Sequence, residues 1–254
     1  MPDACAVDSP QSLNPNVSHV LLVGNSVSMP PMEGVAAYPE LLEIRLGDEW
    51  RLVRIIRGGE TVDQFEPEVL STLETTRPRA VILQVGINEC GPRPLNRKER
   101  ERLGRVWPRW LRSLLIRVIH HFRPQIIRAR GPNQFTPLAV FAESVQRIIA
   151  KAESLGSAVL ILPITQVTLT AEIRQPFFNR EIERYNAILR AFKGNAIVYL
   201  EQQELLGDDT PEGFCISRES VHLNGRAHER IAACVSDWLA RSLNTGRLLR
   251  ETRP

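Results

Sequence analysis

Ser26, His222 and Glu219 are the residues whose types and spacing could carry nucleophilic chemistry. Ser26 lies in HVLLVGNSVS (residues 19–28), directly after an apolar run, Val20–Val23, that stops at Gly24. Such a run suits a strand buried on both faces of a parallel sheet. Ligand and catalytic groups of open α/β sheets gather outside the carboxyl ends of strands, so Ser26 falls where a nucleophile would be placed. Two further runs end in short polar turns, Gly58-Gly59-Glu60-Thr61 and Gly86-Ile87-Asn88-Glu89, and Glu219–Asn224 (ESVHLN) opens the last helix. A serine needs a base at neutral pH, and histidine, with an unperturbed pKa of about 6.5, is the side chain suited to the task. An acid three residues earlier can hold the imidazole in the right tautomer. A developing oxyanion needs donors already aimed at it, which a glycine backbone N–H and an asparagine amide can supply. Taken one at a time, these residues also read as a turn serine, a turn asparagine, a helix-capping acid and a packed loop histidine. Taken together, they read as a catalytic set.

That set, in this order, resembles the SGNH (GDSL-like) hydrolase superfamily. The blocks are Ser26 in GNS, Gly59 in GGET, Asn88 in GINE, and Glu219 with His222 in ESVHLN. The resemblance spans about residues 19–240. It implies an α/β/α sandwich in which Ser26 attacks an ester carbonyl, His222 takes and returns the proton, and Glu219 orients His222. The implied oxyanion hole is the Ser26 N–H, the Gly59 N–H and the Asn88 side-chain amide, with no metal or other cofactor. Three residues depart from the family pattern. Asn25 replaces the usual Asp before the nucleophile and can still accept a loop hydrogen bond. Glu219 replaces the catalytic Asp and is one methylene longer. Glu89 replaces the Asp after the oxyanion asparagine and is expected to support that loop. Ser28, one step further from the strand, is the weaker candidate nucleophile. His228 is read as structural, and His120 and His121, on different faces of a helix, make a poor metal site.

The elements that must position these residues follow from hydrophobic patterning. Strands are expected at Val20–Val23, Trp50–Arg57, Ala80–Val85, Ser157–Pro163 and Ala196–Leu200. Helices are expected at Tyr38–Gly47, Thr61–Arg77, about Pro137–Leu155, Pro176–Phe192 and Gly225–Leu243. Strands separated by helices predict an α/β fold, a three-layer α/β/α sandwich on a parallel sheet of about five strands, flavodoxin-like. The predicted organisation is a flexible arm over 1–17, one domain over 18–243 and a flexible tail over 244–254.

A helical insertion of about 93–135 follows the Asn88 loop. Residues 93–130 hold twelve Arg or Lys against Glu99 and Glu101, a surplus of ten in a chain of net charge +3, so the positive excess is local. Leu103, Val106, Trp107, Trp110, Leu111, Leu114, Leu115, Val118, Ile119 and Phe122 form an apolar stripe opposite arginines, predicting an amphipathic helix that starts or kinks at Pro108. Insertions near strand ends often cover a site. This one is read as a cap whose Arg93, Arg105, Arg109 and Arg112 attract an anionic ester, as a solvated arginine face, or as a membrane-surface helix bearing Trp107 and Trp110. A homo-oligomer through 103–122 is a further expectation. Nucleic acid is disfavoured, since no aromatic platform accompanies the arginines.

Four scattered cysteines without CxxC spacing argue against a zinc site or a disulfide scaffold and for reduced thiols in cytoplasm. No apolar run is long enough to span a bilayer, and a secretory leader is not recognisable. The function expected is a serine esterase or deacetylase of small acyl or acetyl esters, carbohydrate esters included. An O-acyltransferase using the same acyl-enzyme and a catalytically inactive carbohydrate-binding protein of the same fold are the alternatives.

Overall fold

The computed structural model describes residues 18–47, 50–192, 194–217 and 221–251, with side chains through 242. Thus the predicted arm over 1–17 and residue Glu219 lie outside the described residues.

In chain order the elements are β1 (Ser18–Asn25), a single 3-10 turn (Ser26–Ser28), α1 (Tyr38–Leu46), β2 (Trp50–Arg57), α2 (Val62–Thr76), β3 (Ala80–Gln84) and α3 (Ile87–Cys90). The insertion contributes α4 (Arg97–Gly104), α5 (Arg109–His121) and α6 (Arg123–Arg130). Then come α7 (Leu138–Ser154), β4 (Ala158–Ile161), α8 (Leu169–Arg174), α9 (Phe178–Ala191), β5 (Ile197–Tyr199), α10 (Gln202–Leu206), α11 (Pro211–Phe214) and α12 (Gly225–Glu251). All five strands are parallel, in the order β2-β1-β3-β4-β5. That is the flavodoxin-like doubly wound order.

The sheet core is apolar on both faces, as central parallel strands require. Val20, Leu21, Leu22 and Val23 of β1 and Ala80, Val81 and Ile82 of β3 are fully buried. α1 and α12 pack together, and α2 packs on α7. Local chemistry starts the helices where the sequence placed them. The Glu40 carboxylate accepts from the Ala37 amide at 2.9 Å at the head of α1, and the Gln64 side chain accepts from the Thr61 amide at 2.9 Å at the head of α2.

Within the insertion the apolar stripe over 103–122 is divided at the proline, as the sequence suggested: α4 ends at Gly104, and Pro108 caps α5 from outside. Proline lacks the N–H an interior helical position needs, so Leu103 and Val106 sit on a separate segment. Further, α5 buries none of its residues; it packs on α6, and α6 packs on α8. α8 follows β4, which lies two places from β1 in the sheet, so the insertion is anchored on the β4 side. At the other end of the chain, the backbone of the segment predicted as a tail is helical through Glu251.

Candidate active site

The parallel register places three turns on one edge of the sheet. Asn25 pairs with Arg57 and Gly24 with Gln84, so the carboxyl ends of β2, β1 and β3 are level. The chain runs outward from β1 to β2 and returns past β1 to β3. A crevice forms between β1 and β3, where the direction of winding changes. Ser26, Gly58-Gly59 and Asn88 all emerge at this edge. The approach is close at Gly58, where a Cβ would lie 3.9 Å from the Ser26 Cβ.

Ser26 opens the 3-10 turn that caps β1. The Asn25 side chain accepts from the Val27 amide at 2.9 Å and so supplies the expected loop hydrogen bond without a charge. Ser26 itself is half-buried, and its hydroxyl makes no hydrogen bond among the described residues. Ser28 has a different fate. It is 1% exposed, and its hydroxyl donates to Gln84 Oε1 at 2.5 Å while lying 3.3 Å from the Tyr38 hydroxyl. A buried hydroxyl committed in this way is a structural strut, which removes Ser28 as a second nucleophile.

Gly59 is exposed in a left-handed conformation (φ +76°) that side-chain-bearing residues rarely adopt. Beside it, Asn88 Nδ2 donates to the Glu60 carbonyl at 2.7 Å, which ties the turn after β3 to the turn after β2. An amide nitrogen carries two hydrogens. The second has no protein partner among the described residues, so it can be offered to an oxyanion. Glu89 faces inward. It is 2% exposed and accepts from the Val62 amide at 2.6 Å, at the first residue of α2, and from the Gly86 and Glu89 amides. Burial, opposed by those bonds and reinforced by nearby Asp63, raises its pKa to about 7. Glu89 therefore joins the two turns from beneath, as Asn88 joins them from the open side.

His222 precedes α12 in a loop folded back on itself. Its carbonyl accepts from the Ile216 amide at 3.0 Å, Cys215 bridges Leu223, and Asn224 Oδ1 caps α12 by accepting from the Ala227 amide at 3.0 Å. The imidazole is half-buried, and burial lowers its pKa, which keeps it neutral and able to accept a proton. No hydrogen bond joins it to Ser26 in this structure; such contacts are often long without substrate and tighten on binding. His228, fully buried in α12, accepts the Tyr38 amide on Nδ1 at 3.1 Å, with its ring stacked on Tyr38. Burial, with His222 nearby, drops its pKa to about 4, so His228 is a neutral structural acceptor. Through Tyr38 and Ser28, α12 is thereby fastened to the segment bearing Ser26. The sequence reading missed Tyr38, and Gln84 had only one signal, a polar residue inside an apolar strand.

The four arginines expected near substrate are dispersed. Arg105 and Arg109 are exposed, Arg112 donates to the Gly104 carbonyl at 3.0 Å, and Arg93 stacks over Phe135 at 5.9 Å.

The sequence matches the model of the GDSL-like Lipase/Acylhydrolase family over residues 22–230, which contains every block described above. The chain belongs to that family. It is an ester-bond hydrolase by that membership. Solved structures of similar fold include a lipase/acylhydrolase from Enterococcus faecalis (TM-score 0.58, 12% identity, 88% of this chain and 95% of that one). An acetylxylan esterase, Axe2, from Geobacillus stearothermophilus gives a TM-score of 0.57 at 12% identity, covering 89% of this chain and 94% of the other. The psychrotrophic esterase EstA from Pseudoalteromonas sp. gives 0.53 at 14% identity, covering 89% and 99%. At such identities the likeness is one of fold. No curated protein sequence matches the chain. Among the described residues, no helix is long and apolar enough to cross a membrane.

Proposed function

We propose that this GDSL-family hydrolase is a serine esterase of small acyl or acetyl esters, those of carbohydrates included, working through an acyl-enzyme on Ser26. His222 takes the hydroxyl proton as Ser26 Oγ attacks the carbonyl, then returns it to the leaving alcohol. Glu219 orients the imidazole. The tetrahedral oxyanion is held by the Ser26 and Gly59 N–H groups and the second N–H of Asn88. Water, activated by His222, then releases the acid and restores Ser26. The reading is carried by the Asn88 amide, which is pinned on one hydrogen by Glu60 and uncommitted on the other, at the same sheet edge as Ser26.

Residues 18–243 are taken as the catalytic domain. We place the protein in the cytoplasm, which agrees with Cys90, Cys215 and Cys234 all being unpaired thiols.

The test is covalent labelling by a fluorophosphonate together with hydrolysis of p-nitrophenyl acetate. Ser26 is expected to carry the label, and Ser26→Ala to lose both label and turnover while keeping its circular dichroism. A folded protein whose Ser26 is never labelled and which releases no acid would be an idle binding protein. Acyl transfer to an added sugar in preference to water would make it an acyltransferase.

A further inference from the structure

The base of the insertion holds more donors than acceptors. The Arg93 amide donates to the Asn133 carbonyl at 2.8 Å, and the two residues form an antiparallel bridge that closes the insertion. Arg123, the first residue of α6, donates to the Pro92 carbonyl at 3.3 Å and to Gln175 Oε1 at 2.6 Å. Arg93 and Arg123 thus flank Pro92, and Arg100 joins Arg93 over the Phe135 ring, at 4.7 Å. Three buried nitrogens in this group have no hydrogen-bond partner among the described residues: Arg93 Nε, Arg123 Nε and Asn133 Nδ2.

Among the described residues, no acid pairs with Arg93 or Arg123. Of the two carboxylates in the insertion, Glu99 is engaged by Arg130 at 2.6 Å and Glu101 by Arg97 at 3.5 Å. Neither Arg93 nor Arg123 has a carboxylate partner among the described residues. Burial first, then Arg93 and Arg174, holds the Arg123 pKa down to about 10; burial and Arg100 lower that of Arg93. Buried donors are ordinarily satisfied, and guanidinium groups keep their charge, so the acceptors must come from water or from a ligand, and an anion answers the charge as well as the donors. Planar guanidinium forks match the oxygens of carboxylate and phosphate. Arg93 and Arg123 are half-buried as whole residues, while the three unpartnered nitrogens are themselves buried.

We propose that Arg93, Arg123 and Asn133 form a binding site for a compact oxyanion, phosphate or carboxylate, at the edge of the sheet that carries Asn88. Arg93 leaves α3 three residues after Cys90, so a bound anion would sit beside the helix bearing Asn88. The anion is either free in solution or a pendant group of the ester. Only that second source rests on the esterase reading.

Two measurements on the full chain test the site. The first is titration with inorganic phosphate, followed by calorimetry and by Tm, in the native sequence and in Ser26→Ala, which lacks the nucleophile. Saturable binding is expected in both, and at least tenfold weaker binding in R93Q, R123Q and N133D. The N133D change supplies an acceptor from the protein itself, so it covers the case in which an arginine variant fails to fold. Absence of saturable phosphate binding, or equal binding in folded R123Q or N133D, overturns the proposal. The second compares two esters with the same acyl group, one neutral and one bearing a carboxylate. A KM ratio that rises at least tenfold in R123Q assigns the anion to the substrate; an unchanged ratio with phosphate binding retained in the native chain assigns it to a free ion. If no ester is hydrolysed, the esterase reading fails, and the phosphate titration still decides the site.

Discussion

The Asn88 side chain donates to the Glu60 carbonyl at 2.7 Å, across 28 residues of sequence. The bond orients a side chain that would otherwise rotate, and it leaves one N–H without a protein partner among the described residues. Preorganisation of this kind is what makes an oxyanion donor effective, because the donor need not reorient as charge develops. Asn88→Ala is therefore expected to lower kcat on the order of 10²–10³ with little change in KM. Steady-state kinetics on p-nitrophenyl acetate measures it; a loss under tenfold would take Asn88 out of the oxyanion hole.

The second prediction concerns His222 as base. Burial holds its pKa below the usual 6.5, and a general base works only when neutral. The acid limb of the profile of kcat/KM against pH should thus bend below 6.5, with activity flat above it. A bend above 6.5, or no acid limb at all, would show that another group takes the serine proton.

Glu89 gives a prediction about stability. Its folded pKa is raised from 4.5 to about 7, so the folded protein holds this proton more tightly than the unfolded chain. The contribution is fully present below pH 4.5 and is lost as pH rises through about 7. Glu89→Gln, which keeps an acceptor for the Val62 amide, removes the titration. Relative to the native chain it should gain stability between pH 5 and pH 8, by up to about 3 kcal/mol. Urea unfolding of both proteins at the two pH values is the check, and an unchanged difference would mean that Glu89 does not titrate between them.

The apolar row of α5 predicts self-association. Trp110 is 67% exposed and Leu114 49%, with Val118 and Phe122 continuing the row. Contiguous exposed apolar surface of this kind marks a contact site. A homo-oligomer through 103–122 should therefore appear in light scattering, and Leu114→Glu should shift it to monomer without loss of helix content. A native chain that is monomeric throughout would refute this.

Much of the fold was legible because each signal was local. The runs Val20–Val23 and Ala80–Leu83 are apolar at every position, as a strand covered on both faces must be, and Gly86 ends its strand where a Cβ would overlap the Ile164 side chain. The GNS, GGET and GINE blocks were recognisable for the same reason: each is a short stretch at a strand end. The break at Pro108 was half-legible, since proline announces a helix boundary without saying which side continues.

From sequence alone came the residue types at each strand end, the family resemblance and the alternation that dictates a parallel sheet. Tertiary structure alone decided that Ser28 is locked to Gln84 and Tyr38, that His228 meets the Tyr38 amide 190 residues away, and that Glu89 holds the head of α2. It also decided that Arg123 reaches the Pro92 carbonyl beside Arg93, with no acid paired to either arginine among the described residues. The reason is physical. Patterning reports which face of an element is apolar, whereas hydrogen bonds and charge pairs depend on which distant segments the sheet order makes neighbours.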